Sequence, residues 1–317
     1  MERSHEIINN INGYYSTKMV GQQQLGISLL VSIMCNGHIL LESVPGLAKT
    51  TAAKIITEAV NGSFSRIQCT PDLLPSDITG LNYFNAKTNE FTLSKGPAFC
   101  NILLADEINR ATPKTQSSLL ECMAERQITI DGTTYPLSEP FLVIATENPL
   151  DTLGTFPLPE ASLDRFLMQM SMENLTPSQE LSLIERNLKD EPLKEISKVC
   201  SKEDIVSLQN SCREVFIHKE LLNYIINIIH ATRNSEDIIN GVSPRGTLAF
   251  VGACQGYALV SGRDYVIPED IKAVAVPVLA HRITVNASYN AKKAQIMAIE
   301  NILANTTVPT EDWKGRF

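Results

Sequence analysis

The chain has 317 residues, of which 44% are hydrophobic and 20% charged, so it can form one large or two modest globular domains and is neither disordered nor fibrous. Lys and Arg number 27 and Asp and Glu number 35; the formal net charge of −8 argues against nonspecific DNA coating but leaves room for a local basic groove. The seven cysteines form no CxxC pair, which favours reduced thiols. The N-terminal residues contain no apolar signal core, and the apolar residues 25–35 are too few to span a bilayer. We therefore expect a soluble, cytoplasmic protein.

Helix and strand patterns alternate in the first half of the chain. Helical periodicity predicts helices at residues 22–35, 50–60 and 116–125, and short apolar runs predict strands at residues 38–42, 65–69, 101–105 and 141–145. Two hairpins are predicted, one over residues 81–93 and one across Asp131-Gly132. Strands that alternate with helices indicate an α/β fold with a mainly parallel sheet.

The pattern becomes helical after about Met172. Helices are predicted at residues 177–188, 202–215, 219–232, 244–260, 268–283 and 291–303, and no further strand is predicted. Thr176 and Pro177 have the chemistry of an N-cap and a first helical position. The change in pattern predicts an α/β domain at residues 1–173 and an all-helical domain at residues 174–317.

The segment Ser43-Val-Pro-Gly-Leu-Ala-Lys-Thr50 lies between a predicted strand and a predicted helix, where a phosphate-binding loop is found. It departs from the strict G-x-x-x-x-G-K-[ST] pattern at Ser43 and Ala48. Gly46 still supplies a permissive backbone, and the N-terminus of the next helix attracts phosphate. Lys49 would reach the β and γ oxygens of a nucleotide and Thr50 would ligate Mg²⁺. The alternative is an ordinary turn with a surface lysine.

A second motif, Ile102-Leu-Leu-Ala-Asp106-Glu107, is an apolar strand that ends in two acids. Ligand groups in α/β sheets lie at such strand ends. Asp106 would hold the hydration shell of Mg²⁺, and Glu107 would polarise the attacking water. The alternative is a solvated acidic turn, which is less common for two adjacent acids after four apolar residues.

Three further polar residues suit nucleotide chemistry, each with a structural alternative. Asn148 follows an apolar strand and could hydrogen-bond water or the γ-phosphate, or serve the Asn-Pro turn. Arg165 could stabilise transition-state charge, in a neighbouring subunit's site if the protein assembles, or form a salt bridge with Asp164 or Glu160. Arg245 lies near the start of a helix that begins at Pro244, where its positive charge opposes the helix dipole and a nearby anion would offset this repulsion. The alternative is a surface arginine on a helix.

Taken together in this order, the motifs resemble those of the MoxR-type AAA+ ATPases, and the resemblance covers nearly the whole chain. The matching segments are residues 43–50, Arg66-Ile-Gln-Cys-Thr-Pro-Asp-Leu-Leu-Pro-Ser-Asp-Ile-Thr-Gly80, residues 104–111, Ala145-Thr-Glu-Asn-Pro149, residues 156–166, Val242-Ser-Pro-Arg-Gly246, residues 264–270 and His281-Arg282-Ile283. The resemblance implies an AAA+ P-loop core with a parallel β-sheet flanked by helices, followed by an all-helical lid domain.

The resemblance also implies roles for particular residues. Asp106 and Glu107 resemble the Walker B pair, Asn148 sensor 1, Arg165 the arginine finger and Arg245 sensor 2. The residues expected to bind ATP are those of the Walker A segment, with the two that resemble the segment near the adenine and sensor 2: Val20, Gly21, Ser43, Val44, Pro45, Gly46, Leu47, Ala48, Lys49, Thr50, Thr51 and Arg245. Thr50 and Asp106 are the residues expected at Mg²⁺. The family usually has Gly at the position of Ser43, which bears on nucleotide affinity.

The resemblance implies a homo-oligomeric ring, often a hexamer, that remodels or activates partners with a von Willebrand A domain. Two other functions remain open from the residues alone. A nucleic-acid-remodelling motor would use the two hairpins, but these carry no basic stripe. A nucleotide-sensing scaffold with little turnover would use the same binding residues.

Overall fold

A computed structural model describes residues 2–42, 47–148, 154–172, 174–188, 199–286, 291–310 and 313 of the protein. Within these ranges there are twelve α-helices: α1 (Glu2–Lys18), α2 (Gln23–Met34), α3 (Lys49–Ala59), α4 (Pro75–Thr79), α5 (Pro113–Glu125), α6 (Glu160–Leu163), α7 (Pro177–Leu188), α8 (Lys202–Arg213), α9 (Lys219–Asn234), α10 (Pro244–Val260), α11 (Pro268–Leu279) and α12 (Ala291–Asn305). Short 3₁₀ turns follow β5 at Ile108–Arg110 and α11 at Ala280–Arg282.

The same ranges contain eleven strands: β1 (Ile39–Glu42), β2 (Phe64–Gln68), β3 (Gly80–Asn85), β4 (Glu90–Lys95), β5 (Ile102–Asp106), β6 (Gln127–Ile130), β7 (Thr133–Pro136), β8 (Leu142–Glu147), β9 (Met168–Ser171), β10 (Ile238–Asn240) and β11 (Thr284–Val285). Five of them form a sheet in the order β2-β5-β8-β1-β9, and every pairing in it is parallel. The carboxyl ends of these strands therefore meet at one edge of the sheet, and the amino ends at the other. The predicted α/β fold is confirmed.

Alternate residues of the central strands pack on opposite faces of the sheet, as the two-residue period of a strand requires. Leu104 and Ile144 join a large cluster with α1, α2, α3 and the C-terminal helices. Leu103 and Val143 join a second cluster with α5. Because both faces are buried, these strands read as continuous apolar runs, and for that reason they could be predicted from sequence.

The C-terminal helices pack beside the edge strand β9, mainly through α11. The predicted helices of this half agree with the structure, and α7 and α10 begin and end at the predicted residues. The prediction that no strand follows Met172 is wrong, because β10 and β11 form a small antiparallel pair. These strands have only three and two residues, too few to give a two-residue pattern.

Helix α1 was not predicted, and it connects the two halves of the chain. Arg3 of α1 forms an ion pair with Asp204 of α8 at 2.7 Å, and the hydroxyls of Ser4 and Ser211 lie 3.0 Å apart. The division of the chain at residues 173 and 174 stays a prediction. None of the helices in the described ranges has both the length and the hydropathy needed to cross a bilayer.

Both predicted hairpins are present, β3–β4 and β6–β7. The turn between β6 and β7 has φ of 48° at Asp131 and 81° at Gly132. Two consecutive positive φ angles define the tight turn that matches the twist of paired strands, which explains the Asp-Gly sequence.

Candidate nucleotide site

Asp106 is the last residue of β5 and lies buried at the carboxyl edge of the sheet. Both of its carboxylate oxygens have partners. Arg66 of β2 donates from Nε to Oδ2 at 2.6 Å, and Thr146 of β8 donates from Oγ1 to Oδ1 at 3.3 Å. A carboxylate at this place is the hard oxygen ligand that Mg²⁺ prefers, and a cation that binds here would compete with Arg66.

Glu107 follows Asp106 with a left-handed backbone, φ 55° and ψ 51°. Its N–H donates to Thr146 Oγ1 at 2.9 Å, so the Thr146 hydroxyl connects the two acids. The Glu107 side chain accepts hydrogen bonds on Oε2 from Gln68 at 3.0 Å and from Arg110 at 3.1 Å. The carboxylate is therefore held between the end of β2 and the 3₁₀ turn, with two donors on one of its oxygens.

The phosphate-loop residues Ser43, Val44, Pro45 and Gly46 lie outside the described residues. Beyond them, Ala48 is the N-cap of α3 with φ 57°, a left-handed conformation that glycine adopts without strain. The strict pattern has glycine at this position, so the structure explains that preference. Helix α3 then begins at Lys49, which places Lys49, Thr50 and Thr51 in its first turn, where backbone N–H groups have no helical partner. This helix start follows the carboxyl end of β1 and suits a phosphate group.

Asn148 follows β8 and is buried, 7% exposed. The residue before it, Glu147, is paired in register with Glu42 at the end of β1. Two acids on neighbouring strands thus flank the start of the phosphate loop. Burial and the charge of Glu42 raise the pKa of Glu147 to about 7, while Lys292 lowers it in part.

Lys292 of α12 is the cation of this acidic pair. Its ammonium group forms an ion pair with Glu42 and donates to Ser171 Oγ at 2.9 Å, and Gln169 donates to the other Glu42 oxygen at 2.7 Å. Helix α12 is thereby fixed to the carboxyl ends of β1 and β9. The residues 169–171 and 292, with Val276 and Ile296, also line a mostly apolar cavity of about 170 Å³.

Gly21 has a left-handed φ of 67° and is buried against the segment that precedes α7. A Cβ at this position would lie 2.8 Å from Leu175 Cδ2, the end of a side chain that can shift, so the left-handed backbone is the main reason for glycine here. Val20 and Gly21 therefore lie where the N-terminal segment meets the start of the predicted C-terminal domain.

Arg165 lies at the amino edge of the sheet, where the parallel strands begin. It comes three residues before Met168, the first residue of β9, whereas Lys49, Asp106 and Asn148 all follow the carboxyl ends of strands. Strand β9 has four residues and is about 13 Å long. The structure thus does not bring Arg165 to the Walker residues of its own chain.

The start of the helix that carries Arg245 is bonded to the residue before Arg165. Ser243, two residues before Arg245, donates to Asp164 Oδ2 at 3.0 Å, and Asp164 is the neighbour of Arg165. Arg245 is exposed at the start of α10. The predicted site residues that the structure describes therefore form two groups, with Arg165 and the start of α10 at the amino edge of the sheet and the others at the carboxyl edge.

Four polar residues that contact the two acids were not among the predicted site residues: Arg66, Gln68, Arg110 and Thr146. Arg66 and Gln68 lie in a segment that resembles the family, but the sequence pattern itself shows them only as polar neighbours of the buried Ile67 on β2. Such an alternation of polar and buried residues indicates one exposed polar face, but nothing in the sequence says that β2 pairs with β5.

Comparison with known proteins gives two matches to family profiles. Residues 38–168 match the ATPase family associated with various cellular activities (AAA), and residues 230–302 match the AAA lid domain.

Individual relatives are similar over most of the chain. The YeaC protein of Bacillus subtilis is 42% identical over 98% of this chain and 97% of its own length. The chaperone MoxR1 of Mycobacterium tuberculosis is 41% identical over 92% of this chain and 79% of its own. The crystal structure of a candidate ATPase from Cytophaga hutchinsonii superposes with a TM-score of 0.89, at 40% identity and 98% coverage of both chains.

Proposed function

Because the chain belongs to the MoxR family of AAA+ ATPases, we propose that it binds ATP with Mg²⁺ and hydrolyses it to ADP and phosphate. The observation that carries this proposal is the pair Asp106 and Glu107 at the carboxyl edge of the sheet. They are joined through Thr146 and face the start of α3 across β8 and β1. A buried metal-binding acid beside an acid that can orient water is the arrangement that phosphoryl transfer needs.

Each residue of this edge has a chemical task in the proposal. Lys49 and the N–H groups at the start of α3 bind the phosphates. Thr50 and Asp106 supply the hydroxyl and carboxylate oxygens that would hold Mg²⁺, which neutralises charge on the β and γ oxygens when bound. Asn148 donates to the γ-phosphate or the water. Val20 and Gly21 lie near the base.

Glu107 accepts a hydrogen bond from the O–H of the attacking water and so orients it. In this structure Gln68 and Arg110 already donate to its Oε2, so the other oxygen, Oε1, is the one open to a water without breaking those bonds. The two donors fix the orientation of the carboxylate before the nucleotide arrives.

The position of Arg165 supports assembly into a ring. It lies about a strand length from the Walker residues of its own chain, so a second copy must bring its Arg165 edge to this chain's nucleotide. Arg245 then acts on the same neighbouring nucleotide. We propose that the protein forms a homo-oligomeric ring, a hexamer as the family resemblance implies. In this proposal the ring works in the cytoplasm as a chaperone-like remodeller of partners with a von Willebrand A domain.

The decisive variant for hydrolysis is Glu107→Gln. The amide keeps the shape but has a weaker acceptor for the water proton, so we expect ATP binding within about threefold of wild type and hydrolysis slowed on the order of 100-fold or more. Nucleotide affinity and phosphate release measure the two effects. The matched control is Glu121→Gln, the same change at an exposed position of α5, which should leave both unchanged.

Hydrolysis by Glu107→Gln at the wild-type rate contradicts the proposed role of Glu107. If wild type binds ATP and does not release phosphate at any protein concentration, the protein is instead the nucleotide-sensing scaffold. Salt-dependent DNA binding that stimulates hydrolysis would favour the nucleic-acid motor.

A further inference from the structure

Arg282, in the 3₁₀ turn after α11, is a buried cation that donates mainly to residues 164–167, and its Nη1 also donates to the Val278 carbonyl of α11. Its side chain is 2% exposed. Nε donates to Asp164 Oδ1 at 2.9 Å, Nη2 to the Phe166 carbonyl at 2.6 Å, and Nη1 to the Leu167 carbonyl at 3.0 Å. These acceptors lie on both sides of Arg165. The guanidinium therefore fixes the backbone from which Arg165 projects.

The same guanidinium is linked to the start of α10 through Asp164. Asp164 accepts from Arg282 on one oxygen and from Ser243 on the other, and Ser243 in turn caps α10 by accepting from the N–H of Gly246 at 3.0 Å. A Cβ at Gly246 would lie 2.6 Å from Val242 Cγ1 and 2.8 Å from Arg282 Cδ. The Arg282 stem thus lies directly on the turn that carries Arg245.

The electrostatics show that this arrangement depends on complete pairing. Burial lowers the pKa of Arg282 to about 10, as does the nearby charge of Arg245, while Asp164 raises it. The side chain stays charged at neutral pH. A buried charge is tolerated only when its partners satisfy it, so the contacts with Asp164 and the two carbonyls are needed to keep Arg282 in place.

We propose that Arg282 is a positioning residue that holds the Arg165 segment and the first turn of α10 as one unit. Arg165 and Arg245 are then presented together to the nucleotide of a neighbouring copy. Arg282 itself is buried and touches no nucleotide. This inference rests on the proposed function, because it assigns a purpose to two arginines that act in trans.

The test compares Arg282→Lys with Arg263→Lys. Lysine keeps the charge but has no planar fork, so it cannot reach Asp164 and both carbonyls at once. Arg263 forms another arginine–carboxylate pair of the same helical region, and its hydrogen bonds go to Asp270 and to the Tyr265 carbonyl. For Arg282→Lys we expect kcat to fall on the order of 100-fold, with the Kd for ATP and the KM within about threefold of wild type. Arg263→Lys should keep the wild-type kcat even if its thermal unfolding midpoint falls by as much as that of Arg282→Lys.

A mixing experiment separates positioning from damage to the fold. Lys49→Ala subunits lack a working phosphate loop but have intact arginines, and Arg282→Lys subunits have the reverse defect. Mixed rings should recover activity that neither variant has alone, because intact arginines then face intact nucleotide sites. If Arg282→Lys does not fold, Gly246→Ala, which displaces the Arg282 stem, replaces it in the same mixture.

The outcomes distinguish the two proposals. Wild type without ATP hydrolysis overturns the proposed function and this inference together. Wild-type hydrolysis with a normal kcat in Arg282→Lys overturns this inference alone. Loss of kcat in Arg282→Lys without recovery in the mixed rings also overturns it, because the defect then lies in the fold of the subunit.

Discussion

The two acids at the end of β5 are held in different ways, and this difference matches their proposed tasks. Asp106 is buried between β2 and β8, with both oxygens engaged by Arg66 and Thr146. Glu107 leaves the strand through a left-handed residue and has one oxygen, Oε2, engaged by Gln68 and Arg110. A fixed buried acid suits a metal ligand, and an acid with a second oxygen at its disposal suits a water.

Arg165→Ala is expected to separate binding from hydrolysis. Removing a transition-state cation slows the chemical step by about 10³-fold or more, while ground-state binding is held by Lys49 and the start of α3. Single-turnover hydrolysis and nucleotide affinity measure the two quantities, with Arg186→Ala, another arginine of the chain, as the control. A Kd for ATP that weakens as much as the rate falls would contradict a role confined to the transition state.

Glu147→Gln is expected to stabilise the protein only at higher pH. The pKa of Glu147 is raised to about 7 in the folded chain, above its usual 4.5, so its contribution to stability is complete below about 4.5 and is lost as the pH rises through 7. Glutamine does not titrate. Urea unfolding at pH 8 should show the variant more stable by about 1 to 3 kcal/mol, and at pH 4.5 the gain should be absent.

The control for this pH effect is Glu300→Gln, on the exposed side of α12, which should shift stability equally at both pH values. If Glu147→Gln raises the free energy of unfolding equally at pH 4.5 and pH 8, the effect does not come from ionisation of Glu147, and the raised pKa is contradicted.

The site residues that could be predicted are those that stand at the start of a predicted helix or at the end of a predicted strand. Lys49 and Thr50 open a helix after a loop, and Asp106 and Glu107 close a strand, so a single pass through the sequence finds them. Arg66 reaches Asp106 only because β2 pairs with β5, a contact 40 residues apart in sequence.

At the scale of elements, the strands of the sheet were predictable except β9. Strands β1, β5 and β8 are buried on both faces and are continuous apolar runs. Strand β9 has the sequence Met-Gln-Met-Ser, without a β-branched residue, and is a strand because β1 pairs with it on one side. Tertiary pairing decided its conformation, and its own composition did not.

Helix α8 offers a test of how an element start contributes to stability. Ser201 accepts from the Asp204 N–H at 3.1 Å, and Asp204 accepts from the Ser201 N–H at 3.0 Å, a reciprocal capping box. Ser201→Ala should therefore lower the free energy of unfolding by about 1 kcal/mol and leave ATP affinity unchanged.

Ser207→Ala is the matched control, because Ser207 is exposed within the same helix, where alanine is the better helix former. It should be neutral or slightly stabilising in the same denaturant titration. Equal losses in both variants would mean that the cap at Ser201 contributes nothing beyond the loss of a hydroxyl.

At the scale of the whole molecule, the described residues that we propose to bind nucleotide lie at the carboxyl edge of one parallel sheet, and the segment with Arg165 lies at its amino edge. Sequence order could not reveal this, because Arg165 follows Asn148 by only 17 positions yet precedes β9 at its amino end. The parallel direction of β9 places Arg165 away from the start of α3 in its own chain. Under the proposed function, hydrolysis therefore requires two copies, one with the nucleotide and one with the arginines.

The most direct measurement is the steady-state rate of phosphate release per subunit as a function of protein concentration, with Mg²⁺ and ATP at saturation. We predict a low rate at high dilution that rises steeply to a plateau as the ring forms, and a loss of hydrolysis when Mg²⁺ is chelated. A rate per subunit that is independent of protein concentration in a protein shown to be monomeric would contradict catalysis across a subunit boundary.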